Sequence, residues 1–141
     1  MMARSSGTFT SETARTAGKR RAVFAAQERR QRPTKAEAKA RLAVTLLNPE
    51  WIAYEHPIHT EPGMEQYIDV AFQMDGQLIA VEVDGSKGWH GAAKMWAYDE
   101  IKARWLYANG WALVQLNGKT AKQTPAQVAD EIISKMKGNL L

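Results

Sequence analysis

The 141-residue sequence contains no cysteine. That absence excludes a disulfide scaffold, thiolate zinc sites and cysteine nucleophiles, and it suits a reducing cytosol. No apolar run approaches the roughly 18 residues that a membrane-spanning helix needs. Internal repeats and low-complexity tracts are missing as well, which argues against a solenoid or a repetitive linker. What remains is 45% hydrophobic and 24% charged, near the globular average. This length supports one domain with a genuine core.

The charge is unevenly divided. Residues 1–41 carry 11 Lys and Arg against 3 Asp and Glu, whereas residues 42–141 carry 8 against 12. A basic leader precedes a mildly acidic body, and such leaders commonly touch polyanions. An organellar transit peptide would also be Arg- and Ser-rich, but Glu12 and Glu28 interrupt this one. The reading is a basic flexible arm over 1–32, with a short helical turn near 22–30, followed by an α/β domain over 33–141.

Thr34-Lys35-Ala36-Glu37 has capping-box form, and Ala36, Ala40, Ala43 and Leu47 recur at helical spacing, predicting a helix over 35–47. Trp51–Glu55 suits a short strand ending at Pro57. Residues 67–73 alternate, with Ile68, Val70 and Phe72 on one face and Tyr67, Asp69 and Ala71 on the other. Asp75-Gly76 is the dipeptide that a type I′ hairpin turn prefers, and 78–84 supplies its return strand. A helix over 92–108 follows, with Tyr98, Ile101, Trp105 and Ala108 as its buried stripe and Asn109-Gly110 as its stop. Residues 111–116 form a further strand. Thr124-Pro125 then starts a last helix with Val128, Ile132 and Met136 facing inward. The predicted fold is α/β: a mixed four-stranded sheet flanked by helices, with the last strand parallel to a neighbour.

The hairpin register carries the first chemical signal. With Asp75 and Gly76 as loop residues, Asp69 lies opposite Glu82 in the closer class of antiparallel pair, with Cα atoms about 4.5 Å apart. Asp84 lies two residues on, on the same face. Like charges directly opposed are destabilising, so a cation is expected to offset them, and an all-oxygen site suits Mg²⁺. The alternative is an exposed polar face with salt bridges to Lys87, Lys94 or Lys102.

These residues resemble a known family. Tyr67-Ile68-Asp69-Val70-Ala71-Phe72, then Val81-Glu82-Val83-Asp84-Gly85, His90, Asp99 and Gly110-Trp111 look like the PD-(D/E)XK nuclease superfamily, in the branch around very short patch repair (Vsr-like) endonucleases. The resemblance runs from about residue 33 to residue 117, and its restriction-endonuclease-like core has the element order read above. It implies that Asp69, Glu82 and the main-chain carbonyl of Val83 hold Mg²⁺ or Mn²⁺, with Glu37 nearby to orient the attacking water. Superfamily members usually carry lysine where this chain has Asp84, so the resemblance leaves His90 or Lys87 to supply the missing donor. Lys102 stands where relatives often have arginine, which reduces a bidentate phosphate clamp to a point contact.

Each of these residues has a plainer reading: Glu37 as a helix cap, His90 as a loop histidine, and Asp99 as a partner of Lys94 or Lys102. His56 and His59 read as surface residues. The implied activity is a metal-dependent DNA endonuclease, structure-specific or nicking, acting on duplex, mismatched or branched DNA. A junction resolvase working as a homodimer and a non-catalytic DNA-binding module on an inactivated nuclease fold are the alternatives. Lys19, Arg20, Arg21, Arg29, Arg30, Arg32, Lys102 and Arg104 are the expected nucleic-acid contacts. The expected location is the cytoplasm of a bacterial or phage-infected cell.

Overall fold

The computed structural model describes residues 11–61, 63–84 and 92–139, with backbone alone over 11–19 and 92–99 and at positions 22 and 139. Helix α1 (Ser11–Gln31) leads into α2 (Lys35–Leu46), then strands β1 (Trp51–Glu61), β2 (Met64–Met74) and β3 (Gln77–Val83). Helix α3 (Ala92–Ala108), strand β4 (Trp111–Leu116), a 3₁₀ turn (Gly118–Lys122) and α4 (Pro125–Asn139) complete the order. The sheet runs β1-β2-β3-β4, antiparallel across the first two pairings and parallel between β3 and β4. This mixed four-stranded sheet flanked by helices is the restriction-endonuclease-like α/β arrangement expected from the sequence.

Local chemistry sets most boundaries. The Thr34 hydroxyl accepts the Glu37 N–H at 3.1 Å while the Glu37 carboxylate accepts the Thr34 N–H at 2.8 Å, so α2 starts with a complete capping box. Thr124 and Gln127 exchange the same pair of bonds at the start of α4. Asp75 and Gly76 both have positive φ, +52° and +77°, as a type I′ turn requires. The turn pairs Met74 with Gln77 and carries the ladder as far as Val70 and Val81. Gly110, at φ +82°, ends α3 and turns the chain into β4.

Two apolar clusters sandwich the sheet. Ala40, Ala43 and Val44 of α2 with Val128, Ile132 and Met136 of α4 cover Val70, Phe72, Ile79, Val81 and Val114. On the other face, Leu106 of α3 packs with Ile58, Ile68, Ala71, Ala80 and Trp111.

Four expectations are corrected. Strand β1 does not stop at Pro57 but runs on to Glu61. It is an edge strand, where a missing N–H is tolerated, and Pro57 sits opposite Tyr67. The short helical turn expected near 22–30 is part of a 21-residue helix, and Ala26 of that helix is buried. Ile68 joins the α3-side cluster with Ala71, not the cluster of Val70 and Phe72, because β2 changes phase at Asp69. Among the described side chains of α3 the buried one is Leu106, with Ile101 and Trp105 partly covered and Ala108 exposed; the Tyr98 side chain lies outside the described residues.

Candidate metal centre

β1 changes phase as well. Ile52 and Tyr54 pack toward the α2 side, whereas Ile58 belongs to the α3 side. His56 lies 5.2 Å, ring to ring, from Trp51, although the two differ by an odd number of residues. The switch sits at Glu55, whose φ is +48°. A non-glycine residue there costs about 1–2 kcal/mol. Glu55 falls between the Tyr54–Val70 and His56–Ile68 pairs, and so lies opposite Asp69.

The double phase change gathers three carboxylates from three elements. One oxygen each from Glu37 of α2, Glu55 of β1 and Asp69 of β2 lie within 4.8 Å of one another. Glu55 is 1% exposed. Its Oε1 accepts Arg29 Nε at 2.8 Å, while its Oε2 is buried with no hydrogen-bond partner among the described residues. A buried carboxylate oxygen without a donor is costly, and a cation that accepts oxygen ligands would satisfy it.

Glu82 joins this group through the backbone. Its Oε2 accepts the Asp69 N–H at 3.0 Å, and the Asp69 carboxylate in turn accepts the Val83 N–H at 2.8 Å. These reciprocal bonds continue the hairpin beyond the last ladder pair. The other Glu82 oxygen is ion-paired with Lys102 of α3, which also donates to the Tyr67 carbonyl. Burial pushes the Glu82 carboxyl up to about 7; Lys102 opposes the shift and the Asp69 charge adds to it. Burial also raises Asp69, against the Val83 N–H and Lys102, and raises Glu55, against Arg29.

Beside these acids opens a cavity of about 320 Å³, lined by Asp69, Glu82, Asp84, Lys102, Leu106 and Asn117 among others. Asp84 lies at its mouth, exposed, with its N–H bonded to the Leu116 carbonyl at 2.7 Å.

Asp69, Glu82, Val83, Asp84 and Lys102 thus line one cavity, and Glu37, which also caps its helix, meets Asp69 in the acid cluster. Glu55 was missed as a functional residue. Pro62-Gly63 marks a turn in the sequence, but a plain two-residue turn places Glu55 opposite Val70. The register shift between His59 and Glu61 moves it opposite Asp69. His90, Lys87 and the Asp99 side chain lie outside the described residues.

The expected nucleic-acid contacts divide. Arg20, Arg21 and Arg32 are exposed, and the Lys19 side chain is outside the described residues. Arg29 and Arg30 are turned onto β1, Lys102 faces inward, and Arg104 pairs with Glu100 on the outer face of α3. His56 is half-buried, and His59 is exposed beside Glu65. Among the described residues no helix is long and apolar enough to cross a membrane.

No protein-family model matches the chain, and no curated protein or solved structure is significantly similar to it.

Proposed function

We propose that this protein is a divalent-metal-dependent DNA endonuclease whose centre is built from Glu37, Glu55, Asp69 and Glu82. The observation that carries the reading is Glu55, which is grouped with two further carboxylates and whose buried Oε2 has no hydrogen-bond partner among the described residues. An all-carboxylate donor set fits Mg²⁺ or Mn²⁺ and suits neither a thiophilic nor an imidazole-seeking ion. Glu37, Glu55 and Asp69 would hold the ion, and the PD-(D/E)XK resemblance implies Glu82 and the Val83 carbonyl as ligands together with Asp69. Once bound, it would supply Lewis acidity toward a phosphodiester and favour ionisation of water.

The chain's own groups do the rest. Lys102, in the cavity beside Glu82, is the cation that stands in for the lysine absent at position 84. It opposes the upward shift that burial imposes on the Glu82 carboxyl and offers positive charge where a phosphate would gather negative charge. The exposed Arg20 and Arg21 of α1 extend the basic surface along which a DNA backbone would lie. DNA as substrate, and nicking or structure-specific cleavage as the reaction, rest on that basic segment and on the resemblance.

A second reading, a DNA-binding module without activity, is favoured by one observation. Lys102 already satisfies one oxygen of Glu82, so that residue needs no metal. Incubation with Mg²⁺ or Mn²⁺ on supercoiled plasmid, mismatched duplex and four-way junction, read on a denaturing gel, decides between them. Cleavage by the wild type that Asp69→Asn abolishes supports the nuclease. Metal-independent DNA binding with no cut strand on any substrate removes it.

A further inference from the structure

Helix α1 is joined to the centre by its last turn. The Arg30 guanidinium donates to the Tyr54 carbonyl at 3.1 Å and to the Glu55 carbonyl at 3.0 Å. Arg41, from α2, donates to the Arg29 and Arg30 carbonyls at 2.9 and 2.8 Å and stacks on the Tyr54 ring, 4.3 Å from its centroid. The carbonyls of a helix's last turn lack partners within the helix and carry its negative end. Arg41 therefore fixes the backbone at Arg29, and Glu55 fixes its side chain.

The described cations near the acids have distinct tasks. Arg30 and Arg41 are bound to backbone carbonyls, and Lys102 is 14% exposed and committed to Glu82 and Tyr67. Arg29 differs from them. Its side chain is 43% exposed, yet its Nε lies 2.8 Å from a carboxylate that is 1% exposed. A guanidinium has five N–H donors, and the Glu55 bond uses one. Glu55 is likewise divided: Oε1 serves Arg29, and Oε2 has no hydrogen-bond partner among the described residues.

Resting on the nuclease reading, we infer that Arg29 is a phosphate-contacting residue of this centre, delivered by α1 and oriented by Glu55, which keeps its second oxygen for the divalent cation. A single carboxylate thereby sets the separation between the cation and the arginine. A phosphate that reaches the acids meets a planar, permanently charged donor group at the solvent side. The role fits the chain's particular chemistry, because position 84 is aspartate and offers no positive charge. It also explains why a half-exposed arginine in a basic helix turns toward acids instead of extending into solvent with Arg20 and Arg21.

The test uses the full chain and three variants, Arg29→Gln, Arg29→Lys and Arg29→Ala. Glutamine retains a donor for Glu55 without the charge, so the site stays folded even if the alanine variant fails to fold. Mn²⁺ affinity is measured calorimetrically, duplex affinity by anisotropy in Ca²⁺ and in EDTA, and cleavage in Mn²⁺. Arg29→Gln should bind Mn²⁺ within about threefold of wild type, lose most of the Ca²⁺-dependent gain in duplex affinity, and cleave roughly 10²- to 10³-fold more slowly, the range for losing one oriented donor. Arg29→Lys should recover part of the rate. Wild-type cleavage and Ca²⁺-dependent affinity in Arg29→Gln would overturn the assignment while leaving the nuclease intact. Tighter Mn²⁺ binding with faster cleavage would make Arg29 an obstructing counter-ion and equally overturn it. A wild type whose duplex affinity ignores Ca²⁺ and whose carboxylates bind no Mn²⁺ would remove the assignment together with the nuclease.

Discussion

Glu55 and Asp69 face each other across β1 and β2 at the point where both strands exchange their buried faces. The exchange turns two carboxylates from neighbouring strands toward Glu37 on α2, and Glu55 ends with one buried oxygen that no hydrogen bond satisfies among the described residues. The following expectations derive from that arrangement and from its links to α1 and α3.

Glu55→Gln should separate metal binding from folding. The amide can donate to a neighbouring carboxylate, which removes both the unsatisfied oxygen and a buried charge. The protein in EDTA should therefore keep or raise its thermal midpoint. Wild type should gain about 2.7 kcal/mol when Mg²⁺ is present at 100 times its dissociation constant, and the variant well under half of that at the same concentration. Differential scanning calorimetry with and without Mg²⁺ reads both effects, and equal gains in the two proteins would exclude Glu55 as a ligand.

Stability in EDTA should fall as pH rises from about 5 to about 8. The Glu82 carboxyl is pushed up to about 7 in the folded protein, above its ordinary 4.5. The folded state then holds a proton that the unfolded chain releases, so this contribution is full at low pH and is lost as pH rises through the folded value. Burial moves Asp69 and Glu55 in the same direction. Glu82→Gln should flatten the profile, and a wild-type midpoint that climbs across this window would contradict the assignment.

Lys102→Met should lower stability by about 1–3 kcal/mol, since it leaves a mostly buried Glu82 oxygen without its charged partner. Cleavage should drop by roughly 10²-fold or more if this cation also neutralises charge at the phosphate. Lys102→Arg should restore more of the stability than of the rate, because the fork reaches Glu82 but fills the cavity differently. Denaturant unfolding and single-turnover cleavage separate the two effects.

Two truncations test how α1 belongs to the domain. Removing residues 1–19 should leave the midpoint unchanged and lessen the salt dependence of DNA binding, because fewer phosphates are neutralised. Removing residues 1–32 also takes away Ala26, Arg29 and Arg30, which leaves Glu55 buried without its counter-ion. That protein should melt several degrees lower in EDTA, and equal midpoints for the two truncations would show that the last turn of α1 contributes nothing to the fold.

Gly76→Ala probes the hairpin that sets the register. A Cβ at Gly76 meets nothing within 4 Å, so the cost is the backbone alone, which holds φ at +77°. About 1 kcal/mol is expected, a fall of roughly 2–8 °C in the midpoint. No change would mean that the turn relaxes to another form.

Much of this protein is decided by short-range chemistry and is legible without coordinates. Asp75-Gly76 dictates a two-residue turn, and that turn sets the register that brings Asp69 and Glu82 to the same end of the hairpin. Thr34 and Glu37 start α2, Thr124-Pro125 starts α4, and Val128, Ile132 and Met136 mark its buried face; each relation spans a few residues of one segment. Glu55 and Arg29 belong to the other class. Glu55 reaches Asp69 only because a register shift near His59 and a positive φ within β1 alter a pairing that the local sequence leaves regular. Arg29 meets Glu55 across 26 residues of chain, in a helix whose composition reads as a solvated basic arm. Tertiary packing selected these contacts, because a buried carboxylate needs a counter-charge from whichever element lies against it, and neither spacing nor composition names that element.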